Sequence, residues 1–113
     1  NFLEKEKILI IGASIGANTA LRFSQEADGI IALSPSFNYK GITTREAASK
    51  ISVPTLIIVS DEDKQSAGDS QKLQELIPGS ILKVYSGKGH GTNMLDDETQ
   101  EFIIKWMEKN FPL

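Results

Sequence analysis

A chain of 113 residues, 40% hydrophobic and 24% charged, suits a single domain spanning residues 1–113. The formal net charge of -3 comes from scattered residues, with no basic stripe of the kind that grips nucleic acid. Cysteine is absent and histidine occurs once, which excludes disulfides, thiolate metal sites and a cysteine nucleophile and gives no expectation of a metal or cofactor.

The opening stretch NFLEKEK is polar and lacks the apolar segment of a signal peptide. The longest apolar run, Ile8–Ile11, falls far short of the about 20 residues a membrane helix needs. A cytoplasmic chain is expected. Asn rather than Met stands first, which leaves open a removed leader or a longer parent chain. Lys7–Ile11 (KILII) predicts a strand buried on both faces. The helix after it places Ala17, Ala20, Leu21 and Ser24 on one face, small enough to lie close to a sheet.

Gly29–Leu33 (GIIAL) predicts a second strand, ended by Ser34-Pro35. Thr43 and Glu46 have capping-box spacing, and Ala47, Ala48 and Ile51 follow as a short helix. Pro54–Ser60 predicts a third strand, with proline at its entry where a missing N–H is tolerated. Leu73, Leu76 and Ile77 mark a helix stopped by Pro78-Gly79, and Ser80–Tyr85 a fourth strand. A last helix begins near Asp97 and carries Phe102, Ile103, Trp106 and Met107 on a broad apolar face. This alternation predicts an α/β fold: a parallel sheet of about four strands with helices on both faces. Ligands bind such sheets beyond the carboxyl ends of the strands, so the loops after Ile11, Leu33, Ser60 and Tyr85 matter most.

The first of these loops reads Gly12-Ala13-Ser14-Ile15-Gly16, a G-x-S-x-G pattern. A tight strand-to-helix turn of this kind strains the central serine and projects its hydroxyl from the sheet. Glycines two positions to either side keep strand and helix from clashing. Ser14 also stands at a helix N-terminus, where a free N–H, that of Ile15, would stabilise an oxyanion. The fourth loop, Ser86-Gly87-Lys88-Gly89-His90-Gly91-Thr92-Asn93, holds the single histidine among three glycines, which allow it to approach another loop closely. Imidazole is the usual base for activating a serine. The third loop reads Asp61-Glu62-Asp63-Lys64, and a carboxylate from it would orient the histidine. At least two of those three acids are expected to be no more than a solvated turn and helix cap.

With these residues in hand, the chain resembles the α/β-hydrolase family, in its dienelactone-hydrolase-like esterase branch. The matching stretches are ILIIGASIGANTAL, IALSPSFNYKGI, PTLIIVSDEDKQSA and SGKGHGTNML. They follow the family order of nucleophile, acid and histidine as Ser14, Asp63 and His90, and Asp61 takes the place of a non-catalytic acid. The resemblance implies a serine hydrolase acting on a carboxylic ester or thioester of a small molecule, with Ile15 as oxyanion donor. It covers only the C-terminal half of the fold. The four strands that precede the nucleophile strand in the family have no counterpart here, nor has the loop that supplies a second oxyanion N–H. Hence the alternative expectation: a catalytically incomplete α/β-hydrolase fragment that works by associating with an N-terminal fragment of the same fold or with a second copy as a homodimer.

Overall fold

This computed structural model of the chain describes residues 6–112; most of the polar N-terminal stretch lies outside them. Four strands, β1 (Leu9–Ala13), β2 (Gly29–Leu33), β5 (Thr55–Ser60) and β6 (Ile81–Tyr85), form one sheet in the spatial order β1-β2-β5-β6. Every neighbouring pair in it is parallel. The interposed β3 (Asn38–Tyr39) and β4 (Ile42–Thr43) form a separate antiparallel hairpin. The helices are α1 (Ile15–Arg22), α2 (Arg45–Ala48), α3 (Lys64–Leu76) and α4 (Asp97–Asn110), with 3₁₀ turns at Ser24–Glu26 and Gly91–Met94.

The strands are laid down in one direction across the sheet. Right-handed crossovers then put every connecting helix on the same face. Accordingly Ala17, Ala20 and Leu21 of α1, Ala48 of α2 and Leu73 of α3 pack on Ile30, Ala32, Ile57 and Val59. Among the described residues no strand follows β6, so α4 is free to cross to the other face. There Ile103 and Trp106 cover Ile31, Leu33, Leu56 and Ile58, together with Tyr85 and Met94. Among the described residues helices thus lie on both faces, three against one.

The first strand differs from expectation in two ways. It starts at Leu9 and continues through Gly12 and Ala13, because these two pair in register with Ala32 and Leu33 of β2. Parallel pairing overrides the poor strand propensity of glycine and alanine. It is also not buried on both faces. It lies at the sheet edge and is half-buried, with Ile8 49% and Ile11 51% exposed beside it and within it. Among the described residues nothing pairs with its outer side.

The helix after β4 is capped differently from the expected Thr43–Glu46 box. Thr44 occupies the N-cap position with no side-chain cap, and its hydroxyl instead donates to the Ser36 carbonyl at 2.6 Å. The β3–β4 hairpin, absent from the sequence reading, turns at Lys40 and Gly41, both at positive φ. The Asn38 side chain accepts from the Gly41 N–H at 2.8 Å and closes the turn. The buried Asn18 of α1 ties the segment down, accepting from the Ser36 N–H at 2.9 Å and donating to the Ile42 carbonyl at 2.8 Å. Further along, Asp69 of α3 accepts from the Phe37 N–H at 2.9 Å.

Candidate active site

Ser14 follows directly on β1 and precedes α1, with φ 58° and ψ -120°. No ordinary residue adopts this backbone without strain. Two contacts impose it. The Ser14 N–H donates to the Leu33 carbonyl at 2.8 Å, which continues the parallel ladder one residue past β1. The first turn of α1 folds back so closely that a Cβ at Gly12 would stand 2.1 Å from the Gly16 carbonyl oxygen. Only glycine fits at position 12. At Gly16 the added carbon would meet nothing within 4 Å, so the two glycines of the motif are not equivalent. Ser14 thereby presents its hydroxyl beyond the carboxyl end of the sheet. The Ile15 N–H beside it opens α1 and meets no acceptor among the described residues.

The three residues singled out in the sequence come together here. Ser14 Oγ lies 2.8 Å from His90 Nε2, and His90 Nδ1 lies 2.5 Å from Asp63 Oδ2. Asp63 stands at the N-cap of α3, three residues past the end of β5. Asp61 turns away from the imidazole and accepts from the Ser86 hydroxyl at 2.7 Å. The His90 side chain remains 41% exposed and that of Asp63 22%, and Ser14 is half-buried. The ring of Tyr39, from the hairpin, meets the imidazole edge-on at 6.1 Å between centroids. Its hydroxyl donates to the Ser34 carbonyl at 3.2 Å. Burial, and next the negative charge of Asp63, push the Tyr39 phenol above its ordinary value.

The loop that carries His90 has no regular structure before Gly91 and takes its shape from side chains of other strand ends. Glu62 accepts from the Gly87 N–H at 3.0 Å through one oxygen and from the Gly89 N–H at 2.9 Å through the other. Ser60, at the end of β5, donates its hydroxyl to Glu62 and accepts from the Lys88 N–H at 2.9 Å. These bonds, that of the Ser60 hydroxyl first and that of the Gly89 N–H next, hold the Glu62 carboxyl down to about 2. On the far side of His90, the Gly91 N–H donates to Ser34 Oγ at 2.8 Å. Ser34 is buried and sits at positive φ, 55°. The Lys88 ammonium lies 4.6 Å from the Tyr85 ring centroid and pairs with Asp96 and, at 2.7 Å, with Glu98. That pairing, and then the Thr99 N–H, lowers the Asp96 carboxyl to about 2.

The sequence reading missed Glu62, Ser60, Ser34 and Tyr39. It expected two of the three acids after β5 to be a solvated turn; Asp61 and Glu62 are indeed exposed there, and each in addition engages the histidine loop. The available signal was position: Ser34 and Ser60 stand at the carboxyl ends of the two central strands. Among the described residues no group of three metal-ligating side chains converges.

No family model matches the chain. Over 94 residues it is 30% identical to the non-heme chloroperoxidase CPO-A1 of Kitasatospora aureofaciens, a match covering 79% of this chain and 34% of that protein. Its structure is similar to that of a predicted CIB-like hydrolase from Thermoplasma acidophilum, with a TM-score of 0.74 and 24% identity over 91% of this chain and 51% of the other. A dienelactone hydrolase from Anabaena variabilis is similar with a TM-score of 0.71 and 16% identity, over 92% of this chain and 50% of the other. The chain therefore spans about a third to a half of the length of these relatives. With its four parallel strands it has the α/β-hydrolase fold, and of that fold it carries the C-terminal half. Among the described residues no helix is long and apolar enough to cross a membrane.

Proposed function

We propose that the chain supplies the reacting groups of a serine hydrolase that cleaves a carboxylic ester or thioester of a small molecule. The observation that carries this reading is the unbroken array from Ser14 Oγ through His90 to Asp63, at 2.8 and 2.5 Å. Ser14 Oγ bonds to the acyl carbon while its proton passes to His90 Nε2. The oxygen of the tetrahedral adduct takes the negative charge and accepts from the Ile15 N–H. Collapse of the adduct expels the alcohol or thiol, which leaves with the proton held by His90. Water, deprotonated by the same imidazole, then releases the acid and restores Ser14. Asp63 keeps the Nδ1 proton in place and stabilises the imidazolium throughout.

A fluorophosphonate probe tests this directly. It is expected to modify Ser14, and Ser14→Ala is expected to abolish the labelling. Labelling at another serine, or undiminished labelling of the variant, overturns the assignment.

The complete activity calls for more of the fold than this chain carries. The open edge of β1 and the apolar hollow formed by Leu9, Ile104, Met107 and Phe111 are the surfaces to which the N-terminal half would add. That half would restore a second oxyanion donor, whether it belongs to the same polypeptide or to another. Pairing of two copies through β1 is the other way to close the edge. The likeness to a non-heme chloroperoxidase favours a second reading of the chemistry. In it hydrogen peroxide replaces water as acyl acceptor, and the product is a peroxy acid. Formation of peroxy acid from a carboxylic acid and peroxide, lost in Ser14→Ala, would separate this from plain hydrolysis.

A further inference from the structure

We propose that Glu62 is a positioning residue: its carboxylate holds the backbone of the loop before His90 and so keeps the imidazole between Asp63 and Ser14. The inference rests on the reading of Ser14, His90 and Asp63 given above. Gly87, Gly89 and Gly91 all sit at positive φ, so the loop around His90 has little stiffness of its own. Something outside it must hold it. The N–H groups of Gly87, Lys88, Gly89 and Gly91 are each taken by a side chain from the carboxyl end of a central strand or the turn after it. Glu62 is the hub of that set. It binds two of the amides itself and orients, through the Ser60 hydroxyl, the oxygen that binds a third.

The chemistry suits the task. An ionised carboxylate is acceptor-only, with room for two amides and a hydroxyl, whereas an amide side chain would turn a donor towards donors. Glu62 also adjoins Asp63. The turn that presents the acid to the ring is therefore the turn that clamps the ring's backbone, and the spacing of His90 and Asp63 is set at one place. Glu62 touches no reacting group, since His90 Nδ1 faces Asp63.

The test combines the rate of fluorophosphonate labelling at Ser14 with proton NMR of the imidazole. The chain has a single histidine, so a downfield Nδ1–H resonance belongs to His90 without further assignment. Glu62→Ala is expected to slow labelling about 100-fold, the effect of a misplacement near 1 Å, and to broaden or remove the resonance. Glu62→Gln keeps one acceptor oxygen and is expected to fall between the parent and the alanine variant. It is isosteric and carries the test should the alanine variant not fold. Asp61→Asn alters a bond to the Ser86 side chain and leaves the loop amides held, so it is expected to fall less than either Glu62 variant in both readouts. A Glu62 variant that labels at the parent rate with its resonance intact overturns the proposal. If the parent itself is not labelled at Ser14, the hydrolase reading fails instead. The resonance alone, compared between parent and variant, then decides whether Glu62 holds the ring.

Discussion

Replacing Gly12 by alanine should dismantle the turn that presents Ser14, whereas the same change at Gly16 should not. A Cβ at position 12 would lie 2.1 Å from the Gly16 carbonyl oxygen, 2.5 Å from its carbon and 2.9 Å from the Ala17 nitrogen. Ordinary contact needs about 3.5 Å, so the shortfall exceeds 1 Å. All three atoms are backbone, and no side-chain rotation relieves them. The first turn of α1 must recede, against helix packing on β1 and β2 that buries Ala17, Ala20 and Leu21. Overpacking of this kind costs about 1–3 kcal/mol. For a domain of this size about 2 kcal/mol corresponds to a fall in melting temperature of roughly 10 °C. The turn also carries Ser14 and the Ile15 N–H, so a displacement near 1 Å should slow fluorophosphonate labelling about 100-fold. At Gly16 the added methyl meets open space, and Gly16→Ala should be neutral or stabilising by up to about 1 kcal/mol. Thermal unfolding followed by circular dichroism, together with labelling kinetics, measures both variants. Equal damage at the two glycines, or a Gly12→Ala protein that melts and labels like the parent, refutes the close-approach argument.

Asp63→Asn should lose far more labelling and esterase rate than Asp61→Asn, because only Asp63 contacts the imidazole; the reverse order in steady-state kinetics would move the acid to Asp61. Asn18→Ala strands the Ser36 N–H and the Ile42 carbonyl and should destabilise by about 1–3 kcal/mol, read from the urea midpoint. Glu62 and Asp96 are held below their ordinary values of 4.5 and 3.8, each down to about 2. Their contribution is thus complete above the ordinary values and is lost as pH falls towards about 2, so stability should decline modestly across that window, and less steeply in Glu62→Gln. The open β1 edge should make the isolated chain associate, with mass by light scattering rising with concentration. A monomer at high concentration that unfolds cooperatively would show that four strands suffice.

What sequence alone determined is what local pattern can carry. Short β-branched runs alternating with helical periodicity led to the parallel sheet, and Gly29–Leu33 and Pro54–Ser60 match β2 and β5 to within a residue. The parallel sheet in turn places Ser14, Asp63 and His90 at one end, because every loop after a strand emerges there. Tertiary structure decided what depends on partners distant in the chain. Ser14 and His90 are 76 residues apart, and Asp63 and His90 27, so the sequence could name them but not measure their contacts. Which acid reaches the imidazole followed, in the sequence, only from the family resemblance. In the structure it follows from Asp63 being the N-cap residue of α3 while Asp61 points to Ser86. The β3–β4 hairpin escaped notice because two-residue strands have no periodicity to read. Glu62 looked like a solvated turn residue because its partners are backbone amides, and any sequence supplies those. Only the fold could bring the amides of one glycine-rich loop onto a carboxylate 25 to 27 residues earlier in the chain.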